Sequence, residues 1–118
     1  MTPNRILSVT FAALAACASA AQGDSTRAGL YVWGAEVNGF QPCGTDSVFW
    51  VLAAPDLMTR LRTARDSLTA RPYEPVYVRI KGHRSSQKTD GFAEETNGYF
   101  QVTAIIEIRH PRSGECRR

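Results

Sequence analysis

Apolar residues are grouped along the chain in a way that predicts four strands and one helix. Residues 30–38 are rich in aromatic and β-branched side chains and predict a first strand. Residues 47–52 are almost all apolar and predict a second strand that is buried on both faces. Residues 74–82 alternate between apolar and polar positions, which is the pattern of a half-buried strand. Residues 99–109 predict the last and longest strand.

A single helix is predicted over residues 55–70. Pro55 suits the first helical position, and Pro72 prevents the helix from continuing beyond Arg71. Arg65 falls outside the apolar stripe of this helix and is expected on another side. The stripe comes from apolar residues at spacings of four, three and four, namely Leu57, Leu61, Ala64 and Leu68.

The segment before the last strand is polar and contains turn-forming residues. Residues 83–90 predict a loop, and Gly91 begins a short predicted strand that turns at Asn97-Gly98, a dipeptide typical of tight hairpins. The whole pattern indicates a mainly β domain with one α-helix, arranged as a small OB-like antiparallel barrel whose open end the helix plugs. The alternative is an α+β split sheet with the helix on one face.

The N-terminus has the pattern of a secretory signal peptide over residues 1–16. One positive charge, Arg5, precedes an apolar run of 11 residues, which is too short to span a bilayer. Residues 14–17, Leu-Ala-Ala-Cys, resemble the bacterial lipobox, in which cleavage precedes a cysteine that carries a diacylglycerol. The resemblance implies a lipid anchor on Cys17, and the absence of Asp at the next position favours the outer membrane.

A second cleavage site follows closely. Residues 18–20, Ala-Ser-Ala, form an A-x-A motif, and cleavage after Ala20 would release a soluble periplasmic protein. Residues 17–28 are small and polar and predict a flexible tether, which leaves residues 29–118 as one domain.

The cysteine count favours export and one disulfide. The chain has three cysteines, and either cleavage accounts for Cys17, so Cys43 and Cys116 remain as a pair. In an oxidising compartment they can form one bond. The alternative is a metal site that adds His83 or His110, but no C-x-x-C or H-x-x-x-H spacing supports it. We therefore expect no metal and no cofactor.

Charge and aromatic residues suggest two candidate ligand surfaces. The formal net charge of +3 is a mild bias, well short of a dedicated nucleic-acid binder. There are two interpretations of the aromatic residues in and beside the first two predicted strands. They either form an aromatic platform for a ligand or belong to the core; they are Trp33, Trp50, Phe40 and Phe49. The basic residues cluster around the third predicted strand and could contact phosphates, anionic lipids or only solvent; they are Arg79, Lys81, His83, Arg84 and Lys88.

The sequence does not predict an enzyme. It has no G-x-S-x-G nucleophile motif and no glycine-rich phosphate loop. Glu36 and Glu107 could form an acid–base pair, although salt bridges with Arg79 or Arg109 are the favoured interpretation.

Three segments resemble the C-terminal OB-like domain of the NlpE family of envelope lipoproteins, which is associated with copper homeostasis and envelope stress. They are YVWGAEVNGFQPCG at 31–44, VFWV at 48–51 and EPVYVRIKG at 74–82. The resemblance covers residues 29–116 and implies the fold, the anchor and the Cys43–Cys116 bond. The copper function does not carry over, because this chain lacks that family's N-terminal C-x-x-C domain.

We therefore expect a non-catalytic envelope module that is held to the membrane by its anchor and binds a protein or another envelope component. The alternative is an OB-type module that binds oligosaccharide or oligonucleotide through the basic cluster. Export makes nucleic acid the less favoured ligand.

Overall fold

The computed structural model describes residues 23–116, so the predicted signal peptide and Cys17 lie outside the described residues. No helix in the described part is long and apolar enough to cross a membrane. The elements, in chain order, are β1 (Ser25–Gly34), β2 (Val37–Pro42), β3 (Phe49–Leu52), α1 (Pro55–Leu68), β4 (Val76–Ser85), a 3₁₀ helix (Gly91–Glu95) and β5 (Tyr99–Arg109).

The five strands form one closed ring in the order β1-β2-β3-β5-β4, with β4 pairing back onto β1. The prediction of a mainly β domain with one helix is confirmed, and the open split sheet is not formed. The expectation of a wholly antiparallel sheet is wrong, because β3 and β5 run parallel, with Trp50 beside Tyr99. A closed ring with an odd number of strands cannot alternate direction at every step, so at least one neighbouring pair must be parallel.

The core fills the inside of this ring, because alternate residues of each strand point inward. The predicted apolar face of β4 is confirmed by Val76, Val78 and Ile80, which are at most 1% exposed. Leu61 of α1 is equally buried and packs on the same cluster. The other fully buried side chains are Tyr31, Phe40, Val51 and Val102.

The predicted first strand at 30–38 is wrong, because the chain turns within it. β1 ends at Gly34, and Glu36 adopts a left-handed conformation with φ of 62° in the turn to β2. At its other end β1 begins at Ser25, which pairs with Gly82, so it includes residues predicted as tether. These residues are polar, yet the β4 edge supplies their backbone hydrogen bonds.

The loop predicted at 83–90 and the short strand predicted from Gly91 are also wrong in part. Residues 83–85 extend β4, and the short strand predicted from Gly91 is a 3₁₀ helix. The Asn97-Gly98 turn connects to β3 rather than forming a hairpin, because Asn97 N donates to Val48 O and Gly98 O accepts from Trp50 N.

Arg65 is buried rather than solvent-facing. The residue is 6% exposed, and its guanidinium donates to Arg71 O at 2.8 Å and to Asp66 Oδ1 at 3.0 Å. Arg71 lies in the segment that follows the helix, so this hydrogen bond ties the last turn of α1 to the chain that leads to β4.

The disulfide between Cys43 and Cys116 is present, as predicted. It joins the end of β2 to the tail that follows β5. The same tail is held by Glu115, whose two carboxylate oxygens accept from Arg109 at 2.8 and 2.7 Å. The tail is therefore fixed to the ring by one covalent bond and one bidentate ion pair.

Candidate ligand-binding groove

A groove of about 380 Å³ lies where the β1–β2 turn, β3, the first turn of α1 and the 3₁₀ helix meet. Both tryptophans of the chain line it. Half-buried or exposed side chains supply most of its wall, namely Trp33, Trp50, Met58, Arg62, Glu36 and Phe92. The groove is consequently rich in aromatic surface and carries charge on only a few side chains.

Strand alternation explains why part of the predicted aromatic platform faces solvent. Phe40 and Phe49 point into the ring and are 0% and 5% exposed, so these two are core. Trp50 lies between inward-facing residues of β3 and therefore points outward. Its register partner on β2 is Gly39, which has no side chain to cover the indole.

Phe92 adds an aromatic side chain that the sequence reasoning missed. It is 58% exposed on the 3₁₀ helix. The sequence signal that could have found it is a single phenylalanine in an otherwise polar segment, because this residue is usually buried and stands out there.

Trp33 sits at the other side of the groove under a cation. The guanidinium carbon of Arg62 lies 3.8 Å from the centre of the indole ring, within cation–π range. Arg62 Nε is buried and has no hydrogen-bond partner among residues 23–116. This arginine therefore orders one face of Trp33 at the edge of the groove.

A buried polar network forms the floor. Tyr31 Oη donates to Asn38 Oδ1 at 2.7 Å, and Asn38 Nδ2 donates to Val51 O at 3.1 Å. Burial raises the pKa of the Tyr31 phenol to about 12, so it remains a donor at neutral pH. The network ties three strands together beneath the aromatic residues and makes the floor rigid.

The predicted basic cluster does not form one site. On β4, Arg79 and Lys81 are exposed on the outer face, and Arg79 Nε lies 3.8 Å from Glu107 Oε2. His83 Nδ1 lies 2.6 Å from Asp24 Oδ1. Two of the predicted cations are therefore paired with carboxylates.

Trp33 and Arg84 lie at opposite ends of the ring. Ser25 pairs with Gly82 and Tyr31 with Val76, so Trp33 and Arg84 extend beyond this paired stretch in opposite directions. At about 3.3 Å per strand residue they are roughly 30 Å apart along the strands. The predicted ligand residues thus divide between two separate surfaces.

The acid–base and metal alternatives find no matching geometry. Glu107 accepts from Arg109 Nε at 2.7 Å, which confirms its salt-bridge interpretation, whereas Glu36 lies in the β1–β2 turn. The disulfide removes Cys43 and Cys116 as thiolate ligands. Within residues 23–116 no group of three His, Cys, Asp or Glu side chains is placed to hold a metal ion.

Comparisons of the chain with protein-family models, curated proteins and solved structures find no match. The resemblance to the NlpE family stays a prediction, and the case for a ligand site depends on the groove geometry.

Proposed function

We propose that the chain is a non-catalytic lipoprotein of the cell envelope, with a small OB-like barrel that binds a glycan in the aromatic groove. The position of the groove carries this proposal. OB folds bind oligosaccharides and oligonucleotides on the face of their second and third strands, between the β1–β2 and β4–β5 connections. The groove lies on that face, with Glu36 from the first connection and Phe92 from the second.

The lining chemistry favours a sugar. A sugar ring presents apolar C–H faces that pack on aromatic side chains, and Trp50 and Phe92 offer such surface. Its hydroxyls need donors and acceptors at the rim, which Arg62 and Glu36 can supply. The basic strand of β4, the other candidate surface, has Arg79 paired with a carboxylate.

The disulfide and the signal-like N-terminal sequence support the envelope as the place of action. The Cys43–Cys116 bond belongs to an oxidising compartment. The lipobox-like residues 14–17 support an anchor on Cys17, with the outer membrane as the favoured location. Mass spectrometry of the mature protein tests the anchor. We expect a diacylated N-terminal Cys17, and an unmodified N-terminus at Ala21 would replace the lipoprotein with a soluble periplasmic protein.

Tryptophan emission tests glycan binding directly, because both tryptophans line the groove. The probes are chitotriose and the N-acetylglucosamine–N-acetylmuramic acid disaccharide. We expect a saturable change in emission with at least one probe. Phe92→Ala should weaken that binding about two- to tenfold, which is the effect of losing one aromatic contact.

Ile106→Ala is the matched control, because Ile106 is 45% exposed on β5 and does not line the groove. It should leave binding unchanged. Emission that does not respond to millimolar sugar, or equal losses in the Phe92 and Ile106 variants, would overturn the glycan proposal.

A further inference from the structure

A second surface lies at the end of the ring away from α1. A cavity of about 200 Å³ there is bordered by Arg27 and Arg84 and floored by Phe49 and Phe100. It adjoins a hollow of about 540 Å³ that shares both arginines and reaches Gly23. We call the four residues Arg27, Arg84, Phe49 and Phe100 the arginine mouth.

Strand alternation brings both cations to this position. Gly29 and Tyr31 are inward-facing on β1, and Arg27 precedes them on the same face. On β4 the inward-facing series that contains Gly82 continues to Arg84. Both arginines therefore end up at the rim of the core, where they remain exposed.

The aromatic floor orients one of the two guanidinium groups. The guanidinium carbon of Arg84 lies 4.8 Å from the centre of the Phe49 ring. Arg27 Nε donates to Ser25 Oγ at 3.3 Å. Neither arginine forms a salt bridge with a carboxylate of residues 23–116, in contrast to Arg79.

The acidic residues of this end are already engaged. Asp24 accepts from Thr103 Oγ1 at 2.6 Å and lies at 2.6 Å from His83 Nδ1, and these hydrogen bonds lower the pKa of its carboxyl group. Asp46, in the loop beside the cavity, also has a partner. The two mouth arginines therefore present their charge to a ligand from outside.

The N-terminal chain leaves from the same end. Gly23 lines the hollow, and Asp24 fixes the chain there through its bonds to β4 and β5. Gly23 lies six positions after Cys17, and an extended chain of that length spans at most about 20 Å. A lipid on Cys17 would hold the arginine mouth within that distance of the bilayer surface.

We propose that the arginine mouth binds the phosphate of an anionic lipid headgroup in the membrane that holds the anchor. The proposal rests on the proposed function, because it needs the lipid on Cys17. Two guanidinium groups at one rim suit a phosphate, since each can donate two parallel hydrogen bonds to its oxygens. The nearby membrane supplies such phosphates at high local concentration.

Protection of arginines from chemical modification tests the proposal on the lipidated protein without any amino-acid substitution. The mature chain is placed in nanodiscs of phosphatidylglycerol or of phosphatidylcholine and treated with phenylglyoxal, and each arginine is quantified by mass spectrometry. We expect Arg27 and Arg84 to react at least fivefold more slowly in phosphatidylglycerol. Arg60, exposed on α1, should react equally in both lipids. Equal reactivity of the mouth arginines in the two lipids would overturn the proposal.

Free glycerol phosphate, added to phosphatidylcholine nanodiscs, distinguishes the two sources of phosphate. Protection should require far higher concentrations than in phosphatidylglycerol, because the anchor no longer concentrates the ligand. Full protection at micromolar glycerol phosphate would identify a soluble phosphate ester as the ligand and overturn the headgroup assignment.

Matched variants separate site-specific binding from net charge. Two double variants each remove two positive charges. Arg27→Gln/Arg84→Gln removes them from the arginine mouth, and Arg60→Gln/Arg71→Gln removes them from the opposite end of the molecule. The first should lower partitioning from phosphatidylcholine into phosphatidylglycerol vesicles roughly tenfold, and the second should leave it nearly unchanged. Equal effects would overturn the proposal.

Mass spectrometry distinguishes failure of the lipid anchor from failure of the headgroup site. If mass spectrometry shows no lipid on Cys17, the lipoprotein assignment and this membrane-facing arrangement both fail. If the lipid is present and Arg27 and Arg84 are unprotected, only the headgroup site fails.

Discussion

Replacing Cys43 and Cys116 together by serine removes the covalent link between the C-terminal tail and the end of β2. The two residues are 73 positions apart, so the bond encloses β3, α1, β4 and β5 in one loop. The loop-entropy model gives a cross-link of this span about 4 kcal/mol, through restriction of the unfolded chain. That is a large share of the roughly 5–15 kcal/mol that stabilises a domain.

The native state should change little, because the tail keeps a second attachment. Glu115 remains bound to Arg109 through two hydrogen bonds after the thiols are gone. The loss should therefore appear mainly as a more expanded unfolded state, which also raises the dependence of the unfolding free energy on urea. For a domain of this size, about 4 kcal/mol corresponds to a fall in Tm of roughly 15–30 °C.

Urea unfolding followed by tryptophan emission and far-ultraviolet circular dichroism measures the effect. The oxidised protein is compared with the same protein in reductant and with the double serine variant. Reductant should destabilise the first and leave the variant unaffected. A loss below about 1 kcal/mol, with no change in urea dependence, would refute the account of how the bond stabilises this domain.

Three further changes test the core and the tail. Tyr31→Phe leaves Asn38 Oδ1 without its donor and should lower the unfolding free energy by about 1–2 kcal/mol in urea titrations, since a buried acceptor is left unsatisfied. Gly82→Ala should cost about 1–3 kcal/mol in the same assay, because the new Cβ would overlap the carbonyl oxygen of Gln101. The pKa of Glu115 is lowered to about 2, mainly by hydrogen bonds from its arginine partner, so its stabilising effect is complete above about pH 4.5 and is lost as pH falls toward 2. Glu115→Gln should remove the loss of stability that Glu115 causes between about pH 4.5 and 2, measured as Tm against pH. A variant with the same profile of Tm against pH as the wild type would contradict this assignment.

Local patterns predicted the elements that occupy one continuous segment. The buried face of β4 follows from period-two alternation, which a one-residue shift would reverse. The bounds of β5 at 99–109 match the predicted last strand, although two register shifts against β4 interrupt its alternation. The helix begins at Pro55 as predicted and ends two residues early, at Leu68. In each case the decisive residues are neighbours in sequence.

The β1–β2 turn escaped prediction because a distant residue stabilises it. Tyr73 Oη donates to Ala35 O at 2.9 Å, and Tyr73 N donates to Trp33 O at 3.1 Å. The Tyr73 ring also occupies the space beside Gly34, where a side chain would overlap it. Nothing in residues 30–38 marks the turn, since Glu36 adopts its left-handed conformation without the usual Gly or Asn.

The candidate sites were predictable only in part, for a related reason. Arg79 and Arg84 are close in sequence, but the alternation of β4 and the length of the strand place them on different surfaces. The residues that complete each site come from elsewhere in the chain. Arg27 joins the mouth because β1 pairs with β4, and Phe92 reaches the groove from the β4–β5 connection.

Together the two proposals predict how the ring is oriented relative to the membrane. The arginine mouth and the start of the described chain share one end, whereas the aromatic groove lies at the end covered by α1. If the mouth rests on headgroup phosphates, the Trp33 side of the groove faces away from the bilayer, because roughly 30 Å of strand separates Trp33 from Arg84. Trp50 lies nearer the membrane, since it directly follows Phe49 of the mouth. A ligand that enters beside Trp33 comes from the aqueous side of the envelope, so a glycan is sterically accessible while lipid tails are not. In a Trp50→Phe variant, phosphatidylglycerol nanodiscs should therefore leave quenching of Trp33 by soluble iodide unchanged while they protect Arg27 and Arg84. Shielding of Trp33 by the bilayer would show that the ring lies in the opposite direction.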